Sequence, residues 1–287
     1  MSLNVRAARR SDQAAVKALL KTVRQDDPGR VRDWAWLLEA EGALLGAGYL
    51  APVNTVHPHR MTIKLCLTGA ASLSGEAALL LAHLQTAYPA GTPWRVQVLE
   101  HQQAVRTFLG AQGFTLVRRT WTPEVPLSAF PADWGRAEWS QVGALGYTIQ
   151  GERVITPEFR AELTLAHLEH YRATHTVNPP GNLPLSKWEN IFLDDLDAIW
   201  TARRSGRLAA FASLRGGGEV YWFGTLPEFD HDAEMLNAAL KYSEVAQARE
   251  EGLPSLNFEL DSTSPESLAV LRRLPAEPGE ALLTYQT

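Results

Sequence analysis

The order of secondary-structure elements repeats along the chain, and that repetition constrains the fold more than any composition figure. In the first half, apolar periodicity predicts a short strand, then a helix whose apolar face is Ala15, Val16, Leu19, Leu20 and Val23, with Ser11 or Asp12 as its cap. Strands follow at 34–38, 44–50 and 61–67, a helix at 76–88, a strand at 94–99, a helix at 101–112 and a strand at 114–122. Gly113 stands at the left-handed position that closes the third helix.

The second half runs through much the same order. Thr156-Pro157 opens a helix, with proline tolerated in its first turn, and a long loop follows at 178–184. A hairpin pairs 196–202 with 208–214 around Ser205-Gly206, and a strand is predicted at 220–225. The rest reads as a helix at 233–249, a strand at 255–260, a helix capped by Thr263 with Glu266 at capping-box spacing, and a last strand at 281–286. Residues 36–50 lie over 200–214 without a gap, and Trp, Gly, Leu and Leu coincide. The matched order around that hairpin makes this a tandem duplication of one α/β unit with a mixed sheet. Residues 123–146 hold three prolines and three glycines with no sustained period, so the expected domains are 1–133 and 134–287.

Composition narrows the function classes. Hydrophobic residues at 45% and charged residues at 21% describe an ordinary globular chain, and each half is long enough to bury a core. One cysteine, Cys66, excludes an intrachain disulfide framework and a Cys-based zinc cluster and fits a reducing cytoplasm. No apolar run reaches the roughly 18 residues of a membrane span, and no apolar segment follows the basic start, so neither a span nor a signal peptide is expected. Charge is divided: residues 1–135 carry 14 Lys and Arg against 10 Asp and Glu, whereas residues 136–287 carry 13 against 22. The acidic half disfavours nucleic acid, and the mildly basic half suits a polyanionic small molecule.

Four stretches carry a resemblance to a known family. Residues 98–114, with the helix closed by Gly113-Phe114, resemble the late strand–helix–Gly-Phe–strand segment of the GNAT superfamily, the acyl-CoA-dependent N-acetyltransferases. The opening at 5–12 and the small-residue hairpins at 42–49 and 206–213 resemble it too. The whole looks like the tandem arrangement of mycothiol synthase-like proteins. The resemblance implies two GNAT-like domains, each a mixed, mostly antiparallel sheet flanked by helices. It also implies acetyl-CoA as co-substrate, an amine-bearing acceptor and a cytoplasmic monomer or homodimer.

That resemblance assigns candidate residues. The pyrophosphate of CoA is expected at a helix N-terminus, where free amides and the dipole favour an anion. In the first half the matching loop is 68–76, with Gly69, Ser74 and Gly75 as backbone donors, although the family's leading Arg or Gln is absent and Glu76 opposes the anion. The strand backbone at Leu65, Cys66 and Leu67 is the expected bed of the pantetheine arm, and His101 stands where the family often has asparagine. In the second half the equivalent loop carries Glu228, Asp230, Asp232 and Glu234. Each like-charge pair there costs roughly 4 kcal/mol at 4 Å, so the donor site is expected in the first half.

The candidate general bases are Glu41, His59 and, in the second half, Glu219; Tyr221 and Trp222 are core residues or line an acceptor pocket. The family's acidic tyrosine is replaced by Leu109 and by Leu271, and the second Gly-Phe pair is Pro275-Ala276. No metal site is expected, because His167, His170 and His175 do not converge on one helix face. The function implied is transfer of an acetyl group from acetyl-CoA to an amine. Its alternative is a catalytically degenerate binding or scaffold protein. A transferase using charged tRNA is disfavoured by the acidic half.

Overall fold

The computed structural model describes residues 3–22, 36–51, 54–68, 76–152 and 155–287. They form two compact units, Met1–Arg119 with Glu280–Thr287 and Thr120–Gly279. The division falls at 119/120 rather than in the proline-containing stretch at 133/134, and the end of the chain belongs to the first unit.

In unit 1, β1 (Leu3–Ala7), β2 (Trp36–Ala40), β3 (Ala43–Leu50) and β4 (Met61–Leu67) pair antiparallel in sequence order. β5 (Trp94–Leu99) lies parallel to β4. α1 (Gln13–Thr22), α2 (Glu76–Gln85) and α3 (Gln103–Ala111) intervene, and β6 (Thr115–Trp121) follows α3. The helices cover opposite faces of the sheet, as alternation along β3 explains. Ala47 and Tyr49 cluster with Val16, Leu19 and Leu20 of α1. Gly46 and Gly48 turn the other way, where a Cβ on Gly48 would lie 2.6 Å from Leu84 of α2 and one on Gly46 would lie 3.5 Å from Leu80. The small residues of this strand are therefore the groove in which α2 beds. α3 ends as expected: Gly113 has φ of 82°, and the Phe114 amide donates to the Leu109 carbonyl at 3.0 Å.

The last strand of the chain, β14 (Leu282–Gln286), departs from the expected plan. It lies between β5 and β6, antiparallel to β5, with Leu283 opposite Val98 and Tyr285 opposite Val96. Leu283 is fully buried, and the Thr287 hydroxyl accepts from the Trp94 amide at 3.0 Å. Alternation alone predicts a strand here, but both sheets could accept it, so only pairing decides its place.

Unit 2 contains β7 (Glu124–Pro126), β8 (Tyr147–Glu152), β9 (Leu196–Arg204), β10 (Arg207–Arg215), β11 (Glu219–Thr225), β12 (Ser255–Phe258) and the short β13 (Leu260–Asp261). One sheet has the order β7-β12-β11-β10-β9-β8, with only β11 and β12 parallel. Its helices are α4 (Arg136–Ala144), α5 (Pro157–Thr174), α6 (Leu185–Leu193), α7 (Ala233–Glu250) and α8 (Pro265–Arg273). α7 packs its Leu236, Ala239 and Leu240 into the main core. α5 and α6 bring an aromatic layer, in which His167 stacks on Phe211 with ring centroids 3.9 Å apart.

Two sequence expectations need correction here. The stretch 123–146 is not a bare connection: β7 pairs with β12, and Val125, Leu127, Phe130 and Val142 are buried. Its apolar residues are too few for a visible period, and tertiary burial selects them. The cap of α8 is Ser264, whose Oγ accepts from the Ser267 amide at 3.0 Å, one residue later than Thr263. The superposed hairpins do share their turn. Glu41 and Gly42 have φ of 51° and 82°, and Ser205 and Gly206 have 51° and 79°, the left-handed pair that a two-residue hairpin requires. No helix among the described residues is long and apolar enough to cross a membrane.

Two outcomes follow from this packing. A fragment ending at residue 133 lacks β14 and will not melt cooperatively by circular dichroism, whereas Leu283→Ala in the full chain will cost about 2–5 kcal/mol. Gly48→Val, which must displace Leu84, will cost about 1–3 kcal/mol in chemical denaturation while leaving far-UV ellipticity unchanged.

Candidate functional site

The parallel strands of unit 1 separate. β4 and β5 pair from Met61 opposite Trp94 to Ile63 opposite Val96, and no further. β4 continues to Leu67, held on its other edge by β3. Backbone direction alternates along a strand. The Thr62 carbonyl accepts from Ala51 and the Thr68 amide donates to Leu45 on the β3 side, while the Met61 amide donates to Pro93 on the β5 side. Among the described residues, the N–H and C=O groups of Leu65 and Leu67 therefore face the gap without a strand partner, and those of Cys66 face β3. Lys64 Nζ reaches Gln97 Oε1 at 3.2 Å where the strands part. Its pKa is lowered, chiefly by burial and then by Arg95. Burial pushes the Cys66 thiol up to about 12, which leaves it protonated and unreactive.

The described candidates of unit 1 do not converge on this gap. Gly69, Ser74 and Gly75 lie outside the described residues, between Thr68 and the start of α2. His101 follows β5, and both its amide (2.6 Å) and its ring Nδ1 meet the Glu280 carboxylate. Glu41 is exposed on the β2–β3 turn, at the Leu67 end of β4, whereas His59 is exposed in the turn before Met61. The length of β4, about 20 Å, separates these two. Leu109 is fully buried in α3.

Unit 2 has the same parting, more strongly shaped. β11 and β12 pair only at Glu219 with Asn257 and Val220 with Phe258. Between Ala212 and Leu214 the register with β10 shifts, so two residues of β11, Tyr221 and Trp222, oppose Ser213 alone on β10. Ser213 Oγ closes that bulge, accepting from the Trp222 amide and donating to its carbonyl, both at 3.1 Å. Trp222 packs edge-on against Tyr171 and Phe192, and the Tyr221 hydroxyl donates to the Ile191 carbonyl at 2.8 Å. Both are parts of the aromatic layer.

Beyond Thr225 a cavity of about 450 Å³ opens between α5, the turn at Pro227–Asp232, the start of α7 and α8. His170, Asp230, Glu234, Glu266 and Arg272 line it. Glu219 lies at the opposite end of β11, six residues away. Of the four acids expected at this loop, Glu228 pairs with Arg207 and Asp232 accepts from the Tyr147 hydroxyl at 2.7 Å; only Asp230 and Glu234 face the cavity. His170 fits because residue 224 is glycine: a Cβ there would lie 2.5 Å from the imidazole. Sequence reasoning did not connect His170 with Glu266, since α5 and α8 meet only in the folded unit. Among the described residues no group of three or more His, Cys, Asp or Glu could hold a metal ion.

No family model matches the sequence, and no curated protein matches it. Solved structures do. A GCN5-related N-acetyltransferase from Sphaerobacter thermophilus matches with a TM-score of 0.62 at 13% identity, covering 99% of this chain and 95% of that one. A tandem GNAT protein from the clavulanic acid biosynthesis pathway matches with a TM-score of 0.53 at 14% identity, covering 100% of this chain and 98% of that one. The fold is that of a tandem GNAT. At these identities the likeness concerns the fold alone.

Within this tandem GNAT fold, the buried histidines of α5 make unit 2 sensitive to acid. His167 Nδ1 lies 2.8 Å from the Leu163 carbonyl, and burial lowers its pKa to about 3. The unfolded chain binds that proton near pH 6.5, so the contribution to stability is complete above that value and is lost as pH falls from 6.5 toward 3. Thermal melts should lose stability at about 1.4 kcal/mol per pH unit from this residue below pH 6.5. His167→Phe should flatten that slope.

Proposed function

We propose that the protein is an N-acetyltransferase that moves an acetyl group from acetyl-CoA to an amine, with the CoA held by unit 1. The parting of β4 from β5 beyond Ile63 and Val96 carries this reading, because it leaves the polar backbone of Leu65 and Leu67 free along one edge. Those groups suit the amides of a pantetheine arm, and an N–H among them suits the thioester oxygen as negative charge develops on it. Gly69, Ser74 and Gly75 lie in sequence between the same strand and α2, and this reading assigns them to the pyrophosphate. His101, two residues after β5, is assigned to the pantetheine arm in this reading.

Chemically, the nitrogen of a neutral amine attacks the thioester carbonyl. The C–N bond forms, the C–S bond breaks, and the thiolate leaves. An arm that enters from the Thr68 end points its thioester toward Lys64, which favours His59, at the Met61 end, over Glu41 for taking the amine proton. Glu219 is reserved for unit 2, should that half also act. Leu109 carries no hydroxyl, so water returns the proton to the thiolate. In this reading unit 2 shapes the acceptor side or braces the fold, in the tandem arrangement of mycothiol synthase-like proteins, and the protein acts in the cytoplasm as a monomer or homodimer.

The fully buried Leu109 favours a second reading, a GNAT-fold scaffold without chemistry. Calorimetric titration of acetyl-CoA into the full chain separates the two. One site is expected, with affinity reduced at least tenfold by Gly75→Glu, followed by thiol release in the presence of a substrate amine. No heat at millimolar acetyl-CoA would overturn the donor-site assignment and leave the scaffold.

A further inference from the structure

We propose that Lys64 is itself an acceptor: its Nζ takes an acetyl group from acetyl-CoA held in the gap between β4 and β5, so that the chain modifies its own strand. This acceptor presupposes the donor site of unit 1 proposed above. The last backbone pair between the two strands is Ile63 with Val96. Lys64 and Gln97 are the next residue on each strand, and their side chains meet across the opening, Nζ donating to Oε1 at 3.2 Å. The amine therefore closes the narrow end of the gap. A pantetheine arm lying along Leu67 and Leu65 would bring its thioester to the Leu65 N–H and, one residue further, to Lys64 Nζ.

The chain has five lysines, and Lys64 alone combines this position with a reactive state. Lys17, Lys21 and Lys187 are exposed on α1 and α6. Lys241 is 1% exposed and paired with Glu244 at 2.7 Å, so no co-substrate reaches it. Lys64 is half-buried on β4, and among the described residues no carboxylate pairs with it. Its charged neighbour is Arg95, whose guanidinium is fixed by hydrogen bonds to Thr62 Oγ1 at 2.8 and 3.0 Å. Burial first, and then that like charge, lower the pKa of Lys64 and favour the neutral amine. A neutral amine keeps its lone pair while one N–H donates to Gln97, and a lysine desolvated in this way is the form that attacks a carbonyl carbon.

The step balances without a further reactant. The Nζ lone pair forms a C–N bond with the acetyl carbon, the C–S bond breaks, and its electron pair leaves on sulfur as the CoA thiolate. One proton leaves the nitrogen and passes through water to the thiolate, giving CoA-SH and an amide. The Leu65 N–H, on the next residue, serves the carbonyl oxygen while charge develops on it. The amide is stable, and its acetyl group occupies the narrow end of the gap where a second thioester would sit. The reaction therefore stops at one acetyl group per chain.

Acetyl-CoA is the probe, incubated with the full chain in the absence of any added amine, and intact-mass and peptide mass spectrometry follow the label. One acetyl group per chain is expected, on Lys64, with one equivalent of thiol released. Lys64→Arg should abolish the label. Gln97→Glu sets a carboxylate of nearly the same shape against Nζ and holds it as the ammonium, so it should slow labelling at least tenfold. Both variants should still give a calorimetric heat with acetyl-CoA, since the backbone of Leu65 and Leu67 is unchanged in them. Acetyl-CoA binding to the wild-type chain with Lys64 unmodified would overturn the acceptor and leave the donor site standing. No heat and no label would overturn both. Equal labelling of Lys17, Lys21 and Lys187, or labelling of Lys64 by acetyl phosphate to the same extent as by acetyl-CoA, would also overturn the acceptor, because either result is chemical acetylation that needs no bound CoA.

Discussion

The eight residues Glu280–Thr287 hold the first unit together. β14 fills the place between β5 and β6, and its pairing with β5 extends from Leu99 down to Arg95. β5 can part from β4 only because its other edge is fixed in this way. A strand released on both edges would expose a row of unpaired N–H and C=O groups and would not stay extended. The gap along Leu65 and Leu67 therefore depends on residues more than two hundred positions away in sequence.

A comparable opening in unit 2 is secured by other means. There the hydroxyl of Ser213 meets both backbone groups of Trp222, so the bulge in β11 leaves neither unsatisfied. A single residue without a Cβ, Gly224, lets the imidazole of His170 approach the strand. Two halves with one architecture thus carry different surfaces at corresponding places. In unit 1 the gap is bordered by the backbone of Leu65 and Leu67, and in unit 2 the cavity is lined by Asp230, Glu234 and Glu266. The two sheets share a plan, while the side chains at the strand ends differ in charge.

Much of the fold was legible in the sequence, because strong apolar periods mark β4, β5, β11 and α7, and turn chemistry marks both hairpins. The elements that escaped were β7, α4, β8 and α6. Each is short, and α6 follows Pro184 with only Trp188, Phe192 and Leu193 buried. Such segments have too few apolar residues to show a period, and their structure is selected by what they pack against. The site was legible in part. The strand at Leu65 to Leu67 was named from the sequence, yet the alternation that turns Leu65 and Leu67 toward the gap and Cys66 away from it emerges only from pairing with β3.

By itself the sequence determined the repeated order of elements, the α/β class, the I′-type turns at Glu41-Gly42 and Ser205-Gly206, and the concentration of acid in the second half. These are local properties, set by backbone sterics, side-chain period and formal charge. Tertiary structure decided which sheet receives β14, where the domain boundary falls, how far β4 and β5 stay paired, and which two of four loop acids face a cavity. Those outcomes depend on contacts between residues distant in sequence, such as Glu280 with His101 and Glu266 with His170. No local pattern encodes them, because the energy that fixes them exists only once the partners have met.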